Sequence, residues 1–270
     1  MKKTQLILIV VGLLAIAGLY SLPKFVVDNE GQAETATAQS SAETTSDPAA
    51  MHEAELSEEA ERSLAELRSK VSSEEISLEE LEQMAELYKE KSLYDSAGYF
   101  LSLAAERSDE ISWDEKTGNA YFEAFTFALN PEKVEATAQL VREYLGTVLE
   151  NDPARSDLKS KIAMTYVSSS NPMQGIMMLR EILEEDPQNE DALFNMGILS
   201  MQSGQYKRAV ERFEELINYH PDNLQGQFYL GVSYFEANQR NKARAQFEAV
   251  KDMTQDAMIL ESVQSYLDRL

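Results

Sequence analysis

The sequence predicts an all-α protein: an α-solenoid of helical hairpins closed by a C-terminal capping helix and preceded by an N-terminal transmembrane helix and a disordered linker. Three observations carry that expectation. Residue types return every 34 positions between Ser156 and Ala257, as in the pairs Gly197 and Gly231, Ala209 and Ala243, Phe213 and Phe247, and Pro187 and Pro221. Within the copies, apolar residues recur at i, i+3, i+4 and i+7, which lays a stripe along one helix face. An uncharged apolar run near the N-terminus is followed by a stretch with almost no large apolar residue.

In chain order, residues 1–5 carry Lys2 and Lys3, which by the positive-inside rule hold the N-terminus in the cytoplasm and send the chain after Pro23 outside. Residues 6–22 would be about 26 Å long as a helix, close to the roughly 30 Å of a bilayer core. An uncleaved signal anchor and a cleaved signal peptide compete here. Ala15-Ile16-Ala17 offers a small-x-small cleavage pattern, but the apolar run continues through Leu19, Tyr20 and Leu22, which favours the anchor. Residues 23–50, dominated by Ala, Thr, Ser, Gln and Glu from Asp28 onward, cannot offset the entropy of ordering and read as a disordered tether spanning roughly 25–30 Å. An acidic helix is expected within 51–77, with a sparse stripe of Leu56, Ala60, Leu64, Leu67 and Val71, and Ser77-Leu78-Glu79-Glu80 reads as the next helix start.

Hairpin repeats are expected over 78–257. The first, 78–110, has Leu81, Met84, Ala85 and Tyr88, then Tyr94, Ala97, Leu101 and Ala104. Residues 111–155 form a degenerate copy: Gly118 and Tyr121 mark one helix, Val141, Leu145, Val148 and Pro153 a second in shifted register, with an insertion around Asn130-Pro131. A boundary between two short arrays is the alternative there. The copy 156–189 uses Ile162, Ala163, Tyr166, Gly175, Leu179 and Pro187. In 190–223, Leu193, Met196, Gly197 and Ser200 stripe a first helix, Gly204 breaks it, and Tyr206, Ala209, Phe213, Leu216 and Ile217 stripe a second that ends at Pro221. The copy 224–257 repeats this with Leu230, Gly231, Tyr234, Ala243, Phe247 and Val250. Gly197 and Ala209 are expected at the closest approach of two helices, where bulk would cost about 1–3 kcal/mol. Residues 258–270, with Ile259, Leu260, Val263, Tyr266 and Leu267, form the capping helix that a solenoid needs over its last apolar face. Gln255 stands where a third proline would fall, so the preceding helix is expected to run smoothly into the cap.

The period and these residues resemble the tetratricopeptide repeat family, in a membrane-anchored bacterial layout. Departures are Lys159, Leu193 and Gln227 where the family has a large aromatic, and Ile182, Leu216 and Val250 where it has a small residue. The resemblance implies a protein-binding scaffold with a concave groove lined from first helices. Carried over by position, that groove is Met164 and Val167 (with Ser160), Phe194, Asn195, Ile198 and Met201, and Phe228, Tyr229, Val232 and Phe235. It is apolar and aromatic, suited to an apolar or amphipathic segment. Of the positions that clamp a terminal carboxylate in chaperone-binding members, only Asn195 matches, so no such clamp is expected. The competing expectation is that these residues pack on neighbouring repeats or lie under the Met51–Ser72 helix.

The net charge of −23 argues against nucleic acid, which needs clustered Lys and Arg. With no cysteine and only His52 and His220, no thiol chemistry and no metal-ligand spacing is present, and the eleven glycines form no phosphate loop. Glu184-Glu185 and Glu214-Glu215 read as solvated helix faces and Trp113 as core. The sequence thus predicts no enzyme and no cofactor. It predicts a single-pass inner-membrane protein whose periplasmic repeat domain binds a protein or peptide. A cleaved, secreted chaperone-like module or a structural subunit of an envelope assembly are the alternatives. The partner's identity and the oligomeric state are not written in the sequence.

Overall fold

The computed structural model describes residues 56–73 and 75–270. The expected anchor (6–22), its flanking 1–5, the tether (23–50) and residues 51–55 lie outside the described residues. Among those described the secondary structure is entirely helical, and no helix is long and apolar enough to cross a membrane.

Twelve helices follow one another among the described residues: α1 (Glu58–Ser72), α2 (Leu78–Glu90), α3 (Tyr94–Ala105), α4 (Ile111–Phe127), α5 (Pro131–Asn151), α6 (Ser156–Val167), α7 (Pro172–Glu185), α8 (Glu190–Gln202), α9 (Tyr206–Tyr219), α10 (Leu224–Glu236), α11 (Arg240–Met253) and α12 (Ala257–Asp268). Each packs on the next, and the alternate helices α6, α8, α10 and α12 also touch, so they stand side by side as one layer of the solenoid.

The starts follow from local chemistry. Ser57 accepts from the Ala60 amide, while Ser77 and Glu80 form a reciprocal capping box for α2. Lys70 reaches the same Glu80 at 2.5 Å and ties α1 to it. Asn189 and Asn223, 34 residues apart, each do two jobs. Their side-chain oxygens cap α8 and α10, and their amides donate backwards to Ser156 Oγ at 3.0 Å and Glu190 Oε1 at 2.6 Å. Every such asparagine couples one repeat to the one before. The turns inside hairpins also recur: Ser92, Gly204 and Asn238 take left-handed backbone, and the residue after each donates to a carbonyl five residues back, closing the helix end.

Gly197 and Gly231 show why small residues recur. A Cβ on Gly197 would lie 2.6 Å from Cζ of Phe213, and one on Gly231 would lie 2.8 Å from Cε1 of Phe247; both rings are wholly buried. The 156–189 copy inverts this. Leu179 replaces the ring, and Gly175 lies so near α6 that a Cβ would meet the Ala163 carbonyl oxygen at 2.2 Å. Leu193, Ile182, Leu216 and Val250, four of the six departures from the family pattern, are buried and fill the core, while Lys159 and Gln227 are half-buried. Trp113 is buried with Ala104 and Ala120.

The 111–155 segment takes up its extra length as helix: α4 has 17 residues and α5 has 21, against 12 to 14 in α6–α11. Asn130 caps α5 by accepting from the Glu132 and Lys133 amides, and Pro131, lacking an amide hydrogen, takes the first helical position. Packing continues from α3 through α6, so a break between two arrays is not observed. The smooth run through Gln255 is corrected too. α11 ends at Met253, Thr254 is extended, and Asp256 accepts from the Met258 and Ile259 amides to start α12 afresh. An N-cap carboxylate and a turn end one helix and start another without proline.

Two glycines should respond oppositely. Gly146 lies within α5 with open space at its Cβ, so Gly146→Ala should stabilise by up to about 1 kcal/mol through helix propensity. Gly197→Val should lose about 1–3 kcal/mol by overpacking on Phe213, both read from urea unfolding.

Candidate functional site

The side-by-side helices α8, α10 and α12 enclose a groove of about 480 Å³, within the size range of ligand sites. Phe194, Asn195 and Ile198 come from α8, Leu224, Gln225, Phe228 and Tyr229 from α10, and Met258, Ile259 and Ser262 from α12. Its aromatic wall rests on the core. Tyr229 stacks on Phe213 at 6.0 Å, Phe194 meets both rings edge-on, and Phe228 contacts Phe247 and Tyr266 at 6.1 Å. Edge-to-face and offset contacts of this kind fix ring orientation, so the wall is held before anything binds.

The lining carries no charged side chain. Among the described residues nothing hydrogen-bonds the side-chain amides of Asn195 or Gln225, which leaves them free to meet a bound main chain. Ser262 spends its hydroxyl on the Met258 carbonyl oxygen at 2.9 Å. Asp191 lies one turn before Asn195 on α8, its carboxyl held above the usual range by partial burial and then by neighbouring Glu190. Among the described residues no group of three or more His, Cys, Asp or Glu side chains could hold a metal ion.

Five of the ten sequence-predicted groove residues meet here: Phe194, Asn195, Ile198, Phe228 and Tyr229. Val232 is only 6% exposed and belongs to the core with Val263 and Leu267, because α12 packs on α10 and covers that face. Phe235 lies under the cap, with the Tyr266 ring edge-on at 5.4 Å and the Arg269 guanidinium 4.7 Å above it. Met201 packs against the same core. Met164 packs beside Leu179 and Ile182, and Val167 fills space against Gly175. Ser160 is buried, its hydroxyl without a partner among the described residues. α1 packs on α2 and contributes nothing to the groove, so its described residues do not cover it.

Leu224, Gln225, Met258, Ile259 and Ser262 were not expected. The signal that finds the last three was available: they stand 34 residues beyond Leu224, Gln225 and Phe228, so the capping helix keeps the register of a first helix and forms the groove's far wall.

A family model described as tetratricopeptide repeat matches residues 166–223 and 200–261. Similar solved structures include a thermophilic TPR protein from Thermus thermophilus, 12% identical, with 71% of this chain and 99% of that chain covered at a TM-score of 0.53. Another is a tetratricopeptide repeat protein from Parabacteroides merdae, 15% identical, with 78% and 86% covered at a TM-score of 0.52. At such identities the likeness is one of fold. No curated protein matches the sequence.

The groove's support and its rim should separate by mutation. Tyr266 stacks on Phe247 at 5.1 Å and is half-buried, so Tyr266→Ala should cost about 2–3 kcal/mol in chemical unfolding, below the roughly 3–5 kcal/mol of a fully buried aromatic. Met258 is 79% exposed, and Met258→Ala should stay within about 0.5 kcal/mol of the parent chain.

Proposed function

The chain belongs to the tetratricopeptide-repeat family, and from that premise we propose that it is a non-enzymatic scaffold holding an apolar or amphipathic segment of a partner protein in the groove of α8, α10 and α12. One observation carries this reading: a neutral, apolar groove of ligand size, walled by rings already fixed on the core, in a chain of net charge −23. Each large apolar side chain a partner buries there contributes about 1.5–3 kcal/mol, set against the ordering cost of association. A few anchors therefore give weak binding. Tethering offsets that weakness, because a short flexible linker raises the effective concentration of the groove near a membrane-borne partner to about the millimolar range. Lys2, Lys3 and the apolar run 6–22 supply the anchor, and by the positive-inside rule they leave the repeats on the extracytoplasmic face of the inner membrane.

Full-length protein carrying a photo-crosslinking residue at Met258 or Gln225 should capture a partner segment rich in apolar residues, while the same group at Glu248 on α11 should not. Met258→Glu with Gln225→Glu should reduce capture from a crosslinker at Asn195 by at least about tenfold, as expected when an apolar contact must bury carboxylates, with helical circular dichroism unchanged. Equal crosslinking from Glu248, or a captured segment that is wholly polar, would remove the groove from the account. Mature protein beginning at Met1 in the membrane fraction supports the tether; a soluble chain beginning near Gly18 replaces it with a secreted module.

A further inference from the structure

A second cleft, of about 330 Å³, opens between α7, α8 and α9. From α8 it takes Met196, Leu199 and Ser200, with Ser203 at the helix's C-cap, none of which lines the groove, so the two sites use different faces of one helix. Ile176, Met196 and Leu199 give it an apolar floor, and Arg180, Arg208 and Arg212 stand around it.

Three arginines around one cleft stand out in a chain with 47 acidic residues against 24 Lys and Arg. Among the described residues only Arg212 of the three is paired, with Glu215 at 3.0 Å. Arg208 donates to the neutral Gln205 Oε1 at 2.6 Å, and among the described residues Arg180 has no ion pair or side-chain hydrogen bond. Glu211, which shares the cleft, bridges none of them.

The floor continues onto the surface. Met173, Ile176, Met177 and Arg180 fall at i, i+3, i+4 and i+7 of α7, one face of the helix, and Met173 and Met177 are each 54% exposed. Exposed methionines on an outer helix face are costly to leave in water and adapt to whatever packs on them. At one end of that apolar strip stand the two unpaired guanidiniums, whose planar forks fit carboxylates two bonds at a time.

We propose that this face is a second docking site, distinct from the groove, and that its occupant is an acidic amphipathic helix of a partner protein. The helix lays its apolar side on Met173, Ile176 and Met177 and sets carboxylates against Arg180 and Arg208. Charge selects the occupant: a basic or neutral amphipathic helix would satisfy the methionines and leave the arginines unmatched. The scaffold then holds two segments at once, on opposite sides of α8.

The test uses the full-length protein and a fluorescein-labelled synthetic helix with leucine at i, i+3, i+4 and i+7 and glutamate elsewhere, beside a twin with lysine for glutamate. Polarisation is read at about 0.15 M salt, where a Debye length of about 8 Å screens the chain's overall charge but not contact pairs. The glutamate helix should bind, Arg180→Glu with Arg208→Glu should weaken it by roughly tenfold or more, and Met177→Ser by several-fold. Met258→Glu with Gln225→Glu, which disables the groove, should leave that binding unchanged. Circular dichroism confirms that the variants, altered at exposed side chains, remain folded. Binding that survives the arginine changes, equal or tighter binding of the lysine twin, displacement by the groove variants, or no binding of the glutamate helix would each overturn the proposal.

Discussion

The ring of Phe213 occupies the space that Gly197 leaves open, and Phe247 does the same over Gly231. This contact sets how closely the two helices of a hairpin approach, and its consequences reach the surface. The far side of each buried ring becomes the support for the next helix's aromatics: Tyr229 stacks on Phe213, and Phe228 and Tyr266 pack on Phe247. Core and groove wall are therefore one aromatic lattice, and the packing of the first fixes the ring orientations of the second. Where Leu179 replaces the ring, the hairpin closes onto Gly175 and α6 adds no residue to the groove.

A solenoid contacts only its neighbours, so its ends must be closed and its units coupled in sequence. α1 closes one end by burying Leu64 and Leu67 on α2. α12 closes the other and, by keeping the spacing of a first helix, also completes the groove. Between them the asparagines Asn189 and Asn223 cap one helix and grip the preceding one. At the turn between their repeats, the His220 ring nitrogen Nε2 lies 2.6 Å from the Gln188 carbonyl oxygen. Tyr234 adds a further lock by donating to the Glu214 carboxylate; burial, and then that carboxylate, hold its phenol above the ordinary tyrosine range.

Charge is distributed against the average of the chain. A protein of net charge −23 keeps its groove free of charged side chains and gathers three arginines in the cleft behind it. The first arrangement lets apolar contact act without desolvating an ion. The second sets three guanidiniums beside an apolar floor, and that combination separates the cleft from an ordinary solvated surface.

What the sequence determined by itself was periodic and local. The 34-residue return of Gly, Ala, Phe and Pro specified helical hairpins, because backbone clearance and the missing proline amide hydrogen act on the residues that carry them. Ser77-Leu78-Glu79-Glu80 specified a capping box for the same reason. Five of ten groove residues were legible by position, since Phe194 and Phe228 share a register that points to one face. Tertiary structure decided the rest. Val232 and Phe235 obey the expected register but are covered, because α12 packs on α10, burying Val232 with Val263 and setting the Tyr266 ring against Phe235. Asp256 replaced the expected smooth run with a new helix, α12, whose Met258 and Ile259 line the groove. Arg180, Arg208 and Arg212 are scattered in sequence and meet only when α7 and α9 are placed on either side of α8, since a cluster drawn from two helices has no period of its own.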